Sequence, residues 1–96
     1  MRHCYLVCYD IRDSARLRKV HKVVRGYGEA WQYSVFFCVL KDIDRVRLQS
    51  DLESQMNMRE DRTMILDLGT NEGQARGAAA VIGQSLPDPD TGMVVV

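Results

Sequence analysis

The period of the hydrophobic residues changes along the chain, and each change predicts a new element. Residues 3–9 are rich in β-forming side chains and end at a polar run, which is the pattern of a strand. From residue 13 to residue 25 the period becomes helical. One side of this predicted helix carries Leu17, Val20 and Val24. Asp13 or Ser14 is expected to cap its start, so the chain begins with a strand and a helix.

The second part of the chain repeats this alternation of strand and helix. Residues 31–40 have the longest strand pattern, and residues 42–56 have a helical period with Asp42 as the expected N-cap. The apolar positions of that helix are Leu48, Leu52 and Met56. The remaining segments are predicted as a strand (62–68), a weak helix or irregular turn (71–83), a proline-containing loop (86–90) and a short last strand (92–96).

The resulting order predicts an α+β fold of the ferredoxin-like type, a βαββαβ sandwich in which the long strand 31–40 is split or bent near its centre. We expect a single domain over residues 1–96. Its core is predicted at residues 1–85, and residues 86–96 are predicted to form a C-terminal loop and strand.

Both faces of the predicted strands are apolar. In the first strand one face carries Tyr5, Val7 and Tyr9, and the other carries Cys4, Leu6 and Cys8. Because two helices cover only one face of a sheet, the second face is expected to bind a partner. The simplest partner is a second copy related by a two-fold axis, so we expect a symmetric homodimer.

The composition excludes several classes of protein. With 46% hydrophobic and 27% charged residues, the chain is not a disordered or low-complexity sequence. No apolar run approaches the roughly 18–20 residues of a membrane span, and the apolar stretch 4–9 is too short for a signal peptide. Three cysteines without a C-x-x-C motif predict buried thiols in a reducing compartment, so we expect a cytoplasmic protein without a membrane partner.

The formal net charge of zero conceals a strong asymmetry along the chain. Residues 1–28 hold seven basic and two acidic side chains, a balance of +5, and residues 29–96 hold six and eleven, a balance of −5. The first helix contains no acid after Asp13. Its outward face is interpreted either as an ordinary solvated surface or as a contact for a phosphate backbone. The candidates for phosphate contact are Arg12, Arg16, Arg18, Lys19 and Lys22.

Asp10 is the acid whose position suggests chemistry. It directly follows the first predicted strand, so its carboxylate is expected to emerge at the edge of the sheet beside the arginines. Mg²⁺ takes few protein carboxylates and accepts phosphate oxygens and water as its other ligands, which suits such a position. The alternative interpretation is an acid that only stabilises the first turn of the helix.

Four short motifs, in this order, resemble the CRISPR-associated Cas-two family. They are residues 5–11 (YLVCYDI), 16–22 (RLRKVHK), 26–28 (GYG) and 32–36 (QYSVF). The motif order covers residues 3–40, and the order of helices and strands continues the resemblance to about residue 68. The resemblance implies a ferredoxin-like fold and a symmetric homodimer that works with the Cas-one integrase when new spacers are captured. It also implies metal-dependent nuclease activity on RNA or double-stranded DNA.

The resemblance assigns Asp10 as the catalytic and metal-binding residue, facing its symmetry mate so that the pair holds one Mg²⁺ per dimer. It implies that Tyr9, Ser34 and Phe36 lie near this site. Phe37 departs from the family pattern, because an acid often follows the SVF motif in relatives. Residues 94–96 resemble a segment that adds a strand to the partner's sheet.

Three hypotheses for the function remain open at this point. The first is a Mg²⁺-dependent endonuclease of the adaptation machinery, acting on RNA or double-stranded DNA. The second is a non-catalytic scaffold dimer that binds DNA and bridges integrase dimers. The third is a toxin-type ribonuclease or a small-ligand regulatory dimer of the same fold. Of these, the regulatory dimer would not need an acid-free basic helix.

Overall fold

The computed structural model describes residues 1–86, which form four strands and three helices. In chain order these are β1 (Arg2–Asp10), α1 (Ser14–Arg25), β2 (Glu29–Gln32), β3 (Val35–Lys41), α2 (Asp42–Gln55), β4 (Arg62–Asp67) and α3 (Glu72–Gly77). The weak helix or turn predicted at 71–83 is therefore a short helix. The last strand predicted at 92–96, its expected pairing with a partner sheet, and the loop from residue 87 onward lie outside the described residues.

The strands form one antiparallel sheet in the order β2-β3-β1-β4. The helix α1 connects β1 to β2, two parallel strands that have β3 between them. In the same way α2 connects β3 to β4, two parallel strands that have β1 between them. Two interleaved split βαβ units define the ferredoxin-like sandwich, so the predicted α+β fold is confirmed.

The long strand predicted at 31–40 is split, as the predicted fold requires. Tyr33 and Ser34 form a turn between β2 and β3, and the register of the pair shifts between Ala30 and Gln32. The approach to β2 also depends on Gly28, because a Cβ atom there would overlap the backbone and thiol of the facing segment of β3. A glycine at this position therefore allows β2 to pair closely with β3.

The two long helices begin differently. The side chain of Asp13 accepts a hydrogen bond of 2.9 Å from the backbone N–H of Arg16, so the predicted N-cap of α1 is confirmed. The prediction that Asp42 caps α2 is wrong: Lys41 holds the cap position, without a side-chain hydrogen bond. Asp42 instead lies in the first turn, where the helix dipole favours a carboxylate.

One face of the sheet is closed by α1 and α2. Val20 and Val24 of α1 and Leu48 of α2 are completely buried against it. The strands contribute Tyr5, Val7, Tyr9, Phe36, Cys38 and Leu40 to the same cluster. Tyr5, Val7 and Tyr9 are the alternate positions that the sequence pattern of the first strand placed on one face, and with the β3 residues they form the main core.

Residues 1–86 cover the opposite face at one end, which corrects the expectation that it is bare. There α3 packs Ala75 against Phe37, Trp31 stacks on Phe37 at a centroid distance of 4.7 Å, and the Arg76 guanidinium lies 4.5 Å from the same ring. The rest of this face shows an apolar strip along β1 and β4. The strip, called the open strip below, consists of Leu6, Cys8, Met64 and Leu66.

No helix within residues 1–86 has the length and apolar character needed to cross a membrane.

Candidate nucleic-acid and metal site

Asp10 is the last residue of β1 and lies opposite Arg62 of β4. Its side chain is exposed, and within residues 1–86 it forms no hydrogen bond or ion pair. The central strand of the sheet fixes its backbone, since β1 pairs with neighbours on both sides. A rigid strand end thus presents an unpaired carboxylate to an outside ligand.

The segment after Asp10 is fastened by a second carboxylate, that of Asp61. Asp61 accepts hydrogen bonds from the backbone N–H groups of Arg12 at 3.0 Å and Asn57 at 2.8 Å, and from Arg16 Nε at 2.9 Å. Its side chain is 0% exposed. The hydrogen bond from Arg16, reinforced by the two backbone donors, outweighs burial and holds the pKa of Asp61 well below its usual value of 3.8. Asp61 therefore ties the β1–α1 loop to the loop that precedes β4.

Arg16, one of the predicted phosphate contacts, is the partner of this carboxylate. Besides its bond to Asp61, its Nη2 atom lies 3.3 Å from Glu60 Oε1. These acids raise the pKa of the Arg16 guanidinium, Asp61 through a hydrogen bond and Glu60 through its charge. The structure thus gives Arg16 an internal role between two loops.

The other predicted cations are exposed and fall in two places. Arg18, Lys19 and Lys22 lie on α1, and none of them forms an ion pair within the described part of the chain. Arg12 instead lies beside Asp10, where both line the same cavity. The structure therefore brings Arg12 together with Asp10, whereas the side chains from α1 form a separate basic surface.

The cavity beside Asp10 is polar, with a volume of about 390 Å³. Its lining consists of Asp10, Arg12, Met58, Arg59, Glu60, Asp61 and Arg62. Arg59 and Arg62 were not predicted as site residues. A signal for Arg62 was present, because β4 runs antiparallel to β1 in a ferredoxin-like sheet, so the start of β4 must lie at the end of β1.

Tyr9, Ser34 and Phe36 brace the end of β1 from its closed face. The Tyr9 backbone N–H donates to the Ser34 carbonyl at 3.1 Å, and the Tyr9 ring lies 6.3 Å from that of Phe36. The Tyr9 hydroxyl donates to the Tyr33 carbonyl at 3.1 Å and is hydrogen-bonded to His21 Nδ1 at 2.8 Å. Burial raises the pKa of Tyr9 to about 12. These groups hold the strand end in place beneath Asp10.

The donor set at Asp10 suits a hard cation. A carboxylate oxygen is a ligand that Mg²⁺ prefers, and Mg²⁺ needs only one or two carboxylates because water and phosphate oxygens complete its shell. Glu60 and Asp61 are engaged by Arg16, so Asp10 is the unpaired acid of this cavity. Within residues 1–86 no three His, Cys, Asp or Glu side chains are grouped as metal ligands. One copy of the chain thus offers one unpaired carboxylate here, a number that Mg²⁺ accepts when water and phosphate oxygens complete its shell.

The cysteines and Phe37 contribute no further donors. Cys4 and Cys38 are buried, as predicted, and burial raises the pKa of the Cys38 thiol to about 12, whereas Cys8 is half-buried in the open strip. Phe37 is 1% exposed under Arg76, so position 37 supplies packing on the second face of the sheet.

Comparison with known proteins connects this geometry to a family. The profile of a family described as "CRISPR associated protein Cas2" matches residues 2–76, and this is the Cas-two family that the motifs resemble. The chain is 36% identical over 88 residues to the CRISPR-associated endoribonuclease Cas2 2 of Thermodesulfovibrio yellowstonii, covering 92% of this chain and 93% of that protein. It is 44% identical over 70 residues to the CRISPR-associated endoribonuclease Cas2 1 of Rhodospirillum rubrum, covering 73% and 69% of the two chains.

The fold agrees with a solved structure carrying the same family name. The crystal structure of Streptococcus pyogenes Cas2 at pH 6.5 superimposes with a TM-score of 0.74 and 26% sequence identity. The match covers 83% of this chain and 99% of the other.

Proposed function

The chain belongs to the Cas2 family of CRISPR-associated proteins, and from this premise we propose that it acts in the cytoplasm as a homodimer in spacer acquisition. In that role it partners with the Cas-one integrase. We further propose that it is a Mg²⁺-dependent endonuclease that cleaves the phosphodiester backbone of RNA or double-stranded DNA. The relatives above carry endoribonuclease names, which supports a phosphodiester substrate.

The observation that carries the nuclease proposal is the exposed and unpaired carboxylate of Asp10 beside the cations of its cavity. Asp10 holds the metal and Arg12 contacts the phosphate, while Tyr9 and the tie through Asp61 keep the strand end and its loop in place. When bound, Mg²⁺ supplies positive charge for the phosphate oxygens and lowers the pKa of a bound water. In this arrangement different side chains bind the metal and the phosphate of the nucleic acid.

A two-copy site is supported by the open strip. Two carboxylates brought together repel each other unless a cation lies between them, so an Asp10 pair favours a shared Mg²⁺. The apolar side chains of the open strip give the two copies a surface to pack on, since exposed contiguous apolar area favours association.

The test compares the wild type with Asp10→Asn on labelled RNA and duplex DNA, with Mg²⁺ and with EDTA. We expect Asp10→Asn to lose the Mg²⁺-dependent cleavage, by about 100-fold or more as for other groups central to catalysis, and to keep nucleic-acid binding. Glu53→Gln removes an exposed acid of α2 outside the cavity and serves as the control. Equal cleavage by wild type and Asp10→Asn would show that the activity does not belong to this site.

A second function, that of a non-catalytic scaffold for duplex DNA, is favoured by the separation of the basic surface on α1 from the cavity of Asp10. Arg18 and Lys22 contact a duplex in this hypothesis whether or not Asp10 holds a metal. Binding by the wild type that is salt-dependent, is lost in Arg18→Gln/Lys22→Gln, and is accompanied by no Mg²⁺-dependent cleavage would favour the scaffold. In this hypothesis the integrase binds the acidic side chains that follow residue 28 in the chain.

A further inference from the structure

The rim of the cavity beside Asp10 is lined by three arginines from two separate segments. Arg12 comes from the β1–α1 loop, Arg59 from the loop before β4, and Arg62 from the first position of β4. All three side chains are exposed. None of the three guanidinium groups forms an ion pair or a hydrogen bond within residues 1–86. Their charges are therefore free for a ligand.

The acids of the same rim are outnumbered by the cations around them. Asp61 and Glu60 both form ion pairs with Arg16 of α1, so their two negative charges face one positive charge there. Asp10 is the remaining acid, and it is the proposed metal ligand. Together with Arg16, the three arginines of the rim give four positive charges against the three acids Asp10, Glu60 and Asp61, so the cavity has a net charge of +1 before any metal binds, and it suits an anion.

The loop that carries Arg59 is held by its own hydrogen bonds. The Asn57 side chain accepts from the Arg59 backbone N–H at 3.0 Å, and the Asn57 carbonyl accepts from the Asp61 N–H at 2.8 Å. The Asp61 carboxylate in turn accepts hydrogen bonds from the Asn57 N–H and from the Arg12 N–H. The two arginine-bearing loops are thus fixed relative to each other. Binding through Arg59 therefore loses less conformational entropy than binding through a mobile loop would.

We propose that Arg59 and Arg62, together with Arg12, form a phosphodiester-binding subsite that seats the nucleic-acid backbone beside Asp10. The planar guanidinium donates paired hydrogen bonds to phosphate oxygens, and three of them on one cavity rim recognise a backbone without reading its sequence. This inference rests on the proposed function and deepens it. The basic surface of α1 is then a second contact along the same nucleic acid, and the subsite selects the phosphate that lies next to the metal.

The experiment measures binding of a labelled DNA duplex and of a labelled single-stranded RNA at several salt concentrations, with EDTA so that cleavage does not interfere. Four proteins are compared: the wild type, Arg59→Gln/Arg62→Gln, Arg18→Gln/Lys22→Gln, and the control Arg2→Gln/Arg47→Gln. The control removes the same charge and the same side-chain type at two exposed positions outside the cavity. Thermal unfolding of each variant checks that the fold is intact.

We expect Arg59→Gln/Arg62→Gln to reduce the salt slope on duplex DNA by roughly 2, because each lost phosphate contact lowers it by about 0.9. The same relation predicts a loss of affinity on the order of 10–100-fold at 0.1 M salt, with a smaller change for single-stranded RNA. The control is expected to keep the wild-type slope. The melting temperature of Arg59→Gln/Arg62→Gln is expected to stay unchanged, because Arg59 and Arg62 are exposed and their guanidinium groups form no ion pair within residues 1–86.

The outcomes separate this inference from the proposed function. Wild-type affinity and slope in Arg59→Gln/Arg62→Gln, with weakened binding in Arg18→Gln/Lys22→Gln, would overturn the subsite and leave nucleic-acid binding standing. An equal loss in the control would also overturn it, since the effect would then be one of net charge. Absence of salt-dependent binding by the wild type would overturn both.

Discussion

The two faces of the sheet differ in how completely residues 1–86 cover them. On the face that α1 and α2 close, Val20, Val24 and Leu48 are 0% exposed. On the other face α3 covers one end around Phe37, while Met64 and Leu66 of the open strip remain 53% and 43% exposed. Within residues 1–86, one face therefore forms the core of the single chain, and the other presents apolar side chains to solvent. Asp10 lies at the end of β1, whose side chains alternate between the two faces.

The largest expected effect comes from the closed face, with Leu48→Ala. Leu48 is fully buried in the main core, and truncation of such a leucine costs about 2–5 kcal/mol of unfolding free energy because a cavity remains. For a domain of this size the loss is a large share of the total. Urea unfolding followed by circular dichroism measures it.

Val46→Ala is the matched control on the same helix. Val46 is 62% exposed, so its truncation is expected to change the unfolding free energy by no more than about 0.5 kcal/mol. Similar losses in the two variants would contradict the assignment of the closed face as the source of stability.

A smaller effect is expected on the open face, with Leu66→Lys. The added charge does not disturb the monomer, because the side chain is already partly exposed. It does place an unpaired charge in the proposed dimer interface, where disruption of a central residue costs about 2 kcal/mol or more, or about 30-fold in the dimer dissociation constant. Sedimentation velocity over a concentration series measures the shift.

Val46→Lys adds the same charge on the outside of α2 and is expected to leave the dissociation constant unchanged. If Leu66→Lys dimerises as tightly as the wild type, the dimer interface does not include the open strip. A monomeric wild type at micromolar concentration would contradict the two-copy site itself.

The order of strands and helices, the split of the long strand and the cap at Asp13 could be predicted because each depends on local pattern. The cap of α2 was mispredicted because Lys41 and Asp42 are adjacent, and element ends shift by a residue without changing the apolar period. The cover of the second face could not be predicted, since Ala75 and Arg76 reach Phe37 only through tertiary packing.

The candidate site divides in the same way. Asp10 follows from its place after a strand and from the family resemblance. Arg16 has the same residue type and helix as Arg18, but the sequence contains no sign that Asp61, 45 positions away, binds it. The contact depends on where the loop before β4 lies, and only the folded chain fixes that.

The smallest expected effect concerns the two loops at the end of β1 that Asp61 joins. It tests whether the charge of Asp61, rather than apolar burial, holds these loops together. Asp61 has a pKa below its usual value of 3.8, so the folded chain binds fewer protons there than the unfolded chain. Its stabilisation is therefore present above about pH 4 and is lost as the pH falls further. Asp61→Asn is expected to lower the melting temperature at pH 7 on the order of 5 °C, with the difference shrinking toward pH 2.

The matched variant is Asp67→Asn, because the pKa of Asp67 is also lowered, first by the Gly69 backbone N–H and then by His3, at the opposite end of β4. Asp67 joins no second loop and its side chain is 52% exposed, so its replacement is expected to cost less than that of Asp61 at every pH. Scanning calorimetry from pH 2 to pH 7 compares the three proteins. A difference between wild type and Asp61→Asn that stays constant across this range would mean that the loops are held by packing alone, and that the charge of Asp61 does not join the two segments that carry the arginines of the cavity.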